Sequence, residues 1–98
     1  MKKSGNYIED YLIPKLKNSQ YAADYLNDTL ENGDIHTFLL ALQNVVKAQG
    51  GIATIAEKAH MSRSSLYKTL SEKGNPYLKG TKDILSAMGL RLMIKSRE

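Results

Sequence analysis

Between positions 62 and 68 the chain reads Ser-Arg-Ser-Ser-Leu-Tyr-Lys, bringing one guanidinium, one ammonium and four hydroxyls into a single short run. These groups donate hydrogen bonds and neutralise anions. An arginine fork matches the O6 and N7 acceptors of guanine, lysine and serine reach base edges, and serine and tyrosine hydroxyls bond phosphate oxygens. The chemistry offered is recognition of a polyanion, above all duplex DNA. Bond-breaking chemistry has little to draw on. With no Cys, the chain can form neither a disulfide framework nor a thiolate metal site. His36 and His60 stand 24 residues apart, without an acidic or His neighbour at ligand spacing. No metal and no cofactor are therefore expected. No Ser-His-Asp set can be placed, and capping explains the serines at 62–65 better than nucleophilic attack. An enzyme is not expected.

Such groups read DNA only if an element holds them on one face. Ser62 is a good cap for a helix running to about Ser71. Leu66 and Leu70, four apart, face the core together. With these two inward, about 100° per residue turns Ser64 and Lys68 to the opposite side, with Ser65 and Tyr67 flanking. Arg63 sits in the first turn, within reach of a groove. A second short helix precedes, about Ile52 to Ala59, with Ile52, Ile55, Ala56 and Ala59 inward. Ala56 and Ala59 are small enough for two helices to cross closely. His60-Met61 makes the turn, and Met61 anchors the second helix. The pattern predicts a helix-turn-helix whose DNA-binding residues are Ser62, Arg63, Ser64, Ser65, Tyr67 and Lys68. Lys58, Lys73 and Lys79 are candidates for added backbone contacts. The plainer alternative is a helical hairpin with a solvated polar face.

The remaining elements are helical too. Tyr7 to Lys17 is weakly amphipathic, and Pro14 predicts an end or kink at about Ile13. Ser19 is placed as the cap of a helix from Gln20 to about Glu31, with Ala22, Tyr25, Leu26, Thr29 and Leu30 on one face. Asn32-Gly33 ends it. Asp34 caps the next helix, Ile35 to about Gln49, whose buried stripe is Phe38, Leu39, Leu42, Val45 and Val46. Gly50-Gly51 stops that helix, and Gly74-Asn75-Pro76 breaks the chain again. A last helix is expected from about Thr81 to Met88, closed by Gly89 with a positive φ. After it, Leu90, Leu92 and Ile94 alternate, which predicts a short β-strand. A lone strand needs a partner, and these three residues are the candidate seam of a dimer. The expected fold is all-α: a five-helix DNA-binding domain over residues 34–98 with a C-terminal strand, preceded by a helical extension over residues 1–33.

Charge is unevenly spread. Residues 1–49 carry five Lys and six acidic residues, a balance of −1, whereas residues 50–98 carry nine basic and four acidic residues, a balance of +5. The basic half is the half with the helix-turn-helix, as a polyanion partner on one side requires. The start, MKKSGNYIEDY, has no apolar run, and no stretch approaches the roughly 20 apolar residues that span a bilayer. A soluble, cytoplasmic protein without membrane association is expected.

SRSSLYKTLSEKGNP (62–76), ILSAMGLRLMI (84–94) and YAADYLNDTLENGD (21–34) together resemble the HigA-like "probable addiction module antidote" helix-turn-helix proteins, related to the lambda-repressor-like group. The resemblance covers about residues 7–95. It implies an antitoxin of a type II toxin–antitoxin module that binds an inverted-repeat operator as a homodimer, represses its own operon and neutralises a RelE/ParE-like toxin. By position it carries the reading role to Arg63, Ser64 and Lys68, with Ser65 and Tyr67 on the DNA backbone. The family often has Glu where Ser64 stands and Thr-Leu where Gly80-Thr81 stands. Two other readings fit the residues: a phage-type repressor without a toxin partner, and a protein-interaction module with a vestigial helix-turn-helix.

Overall fold

Pro14 decides how the chain begins. It has no amide hydrogen to give, and its ring crowds the carbonyl four residues back. In the computed structural model, which describes residues 6–71, 73 and 75–97, the helix responds by widening. Ile8–Leu12 is a π-helical turn, closed by the Ile13 N–H on the Ile8 carbonyl. It runs directly into α1 (Ile13–Lys15), which carries Pro14 in its first turn. The break expected at Ile13 is therefore a wide turn through which the helix continues. Leu12, Ile13 and Leu16 are buried, so this segment contributes to the common core.

Five more helices follow: α2 (Ser19–Asn32), α3 (Ile35–Ala48), α4 (Ile52–Lys58), α5 (Arg63–Leu70) and α6 (Leu78–Ala87). Polar caps set several starts. The Asp34 carboxylate accepts the Thr37 N–H at 2.8 Å, as its position predicted. At α2 the cap is Asn18, whose side chain accepts the Tyr21 N–H at 2.9 Å, and Ser19 is the first helical residue rather than the cap. Asn and Ser cap equally well, so adjacent candidates are settled only by which backbone is extended; here that is Asn18. Gly50 and Gly51 have φ of 128° and 92° and reverse the chain between α3 and α4, a conformation that side-chain-bearing residues avoid.

α3 is the spine. Phe38, Leu39, Leu42, Val45 and Val46 are all buried, and around them close Ala22 and Leu26 of α2, Ile55 and Ala56 of α4, Leu66 and Leu70 of α5, and Ile84 and Leu85 of α6. The Gln49 amide closes the end of α1 by donating to the Leu16 carbonyl at 2.8 Å.

Three expectations about the architecture change. Residues 34–98 hold four helices, α3 to α6, rather than five, and with α1 and α2 of the extension the described residues hold six α-helices. The last helix starts at Leu78, three residues before Thr81. Thr81 is buried and donates its hydroxyl to the Tyr77 carbonyl at 3.0 Å, so it sits within the first turn and does not precede it. The C-terminal strand is absent: residues 91–97 belong to no helix or strand. Leu90 rests against the core, Leu92 is 36% exposed and Ile94 is 99% exposed. The alternation of apolar residues is present, but a strand needs a neighbour to pair with, and no described segment provides one. Gly89 does take the positive φ expected of it, 77°. Gly74, part of the expected break, and residues 1–5 lie outside the described residues.

Candidate nucleic-acid interface

The unit built by α4, the turn and α5 depends on a few residues. Ile55, Ala56 and Ala59 are buried against the rest of the molecule. His60 takes φ of 59°, the left-handed value at which a turn between two helices most often has glycine. The Met61 N–H returns to the Ala56 carbonyl at 3.0 Å, and Met61 packs on the edge of the core. Ser62 then caps α5 as predicted. Its Oγ accepts the Ser65 N–H at 3.0 Å and donates to the Ser65 Oγ, also at 3.0 Å.

Leu66 and Leu70 are buried, which fixes the rotation of α5. Ser62, Arg63, Ser64, Ser65, Tyr67 and Lys68 are all exposed, so the six residues singled out by type and spacing do come together on one helix and its cap. They divide into sub-groups. Tyr67, 61% exposed, borders a cavity of about 370 Å3 with Gln43 and Val46 of α3 and Ile52 of α4. Ser65 and Lys68 border a second groove on the other flank. Ser62 is the least available of the six, because its hydroxyl both accepts the Ser65 N–H and donates its proton to the Ser65 Oγ.

Arg63, Ser64 and Lys68 have no side-chain partner among the described residues, where the ion pairs are Lys47–Glu9 at 2.7 Å and Lys79–Asp83 at 2.9 Å. They are strong donors with unused capacity on a helix that cannot rotate away. One residue that sequence reading missed helps to hold it there. Gln43 of α3 donates its amide to the carbonyl of Leu70, the last residue of α5, at 2.6 Å. Nothing in the sequence marks this pair, 27 residues apart.

Leu90, Leu92 and Ile94 are elsewhere. Leu90 and Leu92 border a small cavity of about 50 Å3 with Leu26 and Leu30 of α2 and Phe38 of α3, and Ile94 projects beyond it. No group of three or more His, Cys, Asp or Glu among the described residues could hold a metal ion. No helix among them is long and apolar enough to cross a membrane.

A family described as "Probable addiction module antidote protein" matches residues 8–96, from the π turn into the C-terminal tail. The chain belongs to this family. Every helix of the described residues, and all six candidate contact residues, fall within the matched span. A Haemophilus influenzae protein described as uncharacterised is similar to this chain, 34% identical over 71 residues, which is 72% of this chain and 72% of the relative. No solved structure matches this chain.

Proposed function

We propose that this antidote binds duplex operator DNA through α5, represses its own operon and neutralises a RelE/ParE-like toxin. The observation that carries the DNA half is the exposed face of α5, where Arg63, Ser64 and Lys68 have no partner among the described residues while Leu66 and Leu70 anchor the opposite face. A helix in that state fits a major groove, with Arg63 suited to guanine and Lys68 to a base edge or phosphate. The +5 balance of residues 50–98 supports the same partner. The mechanism is recognition by contact, in the cytoplasm, with no catalytic step.

The functional DNA-bound unit is a homodimer. Two copies of α5 enter successive major grooves roughly 34 Å apart, which makes the target an inverted repeat. Ile94 and Leu92, exposed on the tail, are the apolar residues proposed for the seam. Truncation after Gly89 tests this, because a dimer that survives the truncation rules the seam out. The toxin half rests on the family. Its test is expression of the neighbouring reading frame alone and together with this chain. Growth arrest relieved by co-expression supports it, and a harmless neighbour leaves a phage-type repressor as the better account. The exposed tail, in neither helix nor strand, favours one further reading, a protein-interaction module, which predicts no DNA shift even at low salt.

A further inference from the structure

Between α5 and the start of α6 runs a groove of about 540 Å3. One wall is Ser65, Lys68 and Thr69 of α5, and the other includes Lys73, Asn75 and Tyr77. None of its described lining residues is a carboxylate. Two of its hydroxyls are already engaged, Ser65 in the helix cap and Thr69 on the Ser65 carbonyl. The side chains of Lys68, Lys73, Asn75 and Tyr77 have no hydrogen-bond or ion-pair partner among the described residues. The described lining is therefore rich in unused donors, two of them lysine ammonium groups, which suits an anion.

The far wall is held in place. The Tyr77 carbonyl accepts both the N–H and the hydroxyl of Thr81, each at 3.0 Å, and Thr81 is buried. The Tyr77 ring nevertheless stands 83% exposed. A large aromatic offered to solvent on a fixed backbone gains nothing from the fold. The three lysines that charge alone would place on a polyanion also separate here. Lys79 is paired with Asp83 at 2.9 Å, Lys58 is on α4 outside the groove, and Lys73 lines it unpaired.

We infer that Lys73, Asn75 and Tyr77 form a second DNA contact, a seat for the sugar–phosphate backbone of the strand beside the groove that α5 enters. This rests on the DNA reading and extends it. Ser65 and Lys68 belong both to the exposed face of α5 and to this groove, so a duplex on the first brings a phosphate strand to the second. Backbone contacts of this kind fix register and carry no sequence information.

The experiment measures affinity against salt concentration for a random-sequence duplex and for the duplex upstream of the chain's own reading frame. It uses the wild type, Lys73→Ala, Tyr77→Ala, Lys68→Ala and, as a control, Lys79→Ala, with thermal unfolding run on each. Each phosphate contact contributes about 0.9 to the slope of log affinity against log salt, which is about fivefold in affinity near 0.15 M salt. Lys73→Ala is expected to flatten the slope by about that much on both duplexes, with an unchanged melting temperature. Tyr77→Ala is expected to weaken both duplexes alike without changing the slope. The inference is overturned if Lys68→Ala weakens binding while Lys73→Ala and Tyr77→Ala behave as wild type. An equal change for Lys79→Ala also overturns it, by showing general charge rather than a seat. A wild type that binds neither duplex instead overturns the DNA reading itself.

Discussion

Replacing His60 with Gly tests whether the turn of the helix-turn-helix carries backbone strain. His60 has φ of 59°, is exposed, and joins α4 to α5. A residue with a Cβ in the left-handed region costs roughly 1–2 kcal/mol relative to its usual conformations. Glycine removes that cost but loses more backbone freedom on folding, roughly 0.5–1 kcal/mol. The difference favours glycine by about 0.5–1 kcal/mol. For a domain of this size, that raises the melting temperature by about 2–8 °C. Differential scanning calorimetry of wild type and His60→Gly measures it directly, and His60→Val, β-branched at the same φ, should shift the midpoint the other way. A lower midpoint for His60→Gly would refute the reasoning, because it would mean the imidazole makes a stabilising contact larger than the strain it imposes.

Other consequences of the same geometry can be measured. Leu66 is fully buried on α5, and Leu66→Ala should cost about 2–5 kcal/mol in urea unfolding, enough to remove much of the stability of a small domain. Ser62→Ala should cost about 1 kcal/mol, whereas Ser62→Gly should cost only a few tenths, because glycine tolerates the cap position without supplying the acceptor. Asp34 has its carboxyl held below the usual 3.8, chiefly by the Thr37 N–H and then by the Thr37 hydroxyl. A depressed folded-state value means that this contribution is full above the unfolded value and is lost as pH falls through the folded one. Unfolding followed from pH 6 down to about pH 2 should therefore show a loss that Asp34→Asn, which keeps a capping oxygen, does not share; parallel curves for the two proteins would show that the cap does not couple to pH.

Much of this molecule was legible because single residues carry local instructions. Asp34 and Ser62 are short acceptors at the boundary between extended and helical backbone, and the buried stripe of α3 follows a 3.6-residue period closely. The exposed face of α5 followed in turn, since two buried leucines four apart fix where every other side chain points. What escaped depends on partners distant in sequence. Leu90, Leu92 and Ile94 alternate like a strand, but alternation says which way side chains point and not whether another strand is present. Pro14 signalled a disturbance without saying that a π turn would absorb it. α6 begins three residues before the expected Thr81, with Gly80 inside its first turn and near Thr69. The bond from Gln43 to the Leu70 carbonyl has no local signature at all.

DNA recognition by α5 is open to direct measurement. A gel shift on the duplex upstream of the chain's own reading frame, run across a salt series with wild type and the Arg63→Ala, Lys68→Ala double variant, tests it most directly. The wild type is expected to give a salt-dependent shift, and the double variant to lose about 1–3 kcal/mol for each base-edge contact removed, with folding unchanged. No shift at low salt, or equal shifts by wild type and double variant, would contradict it.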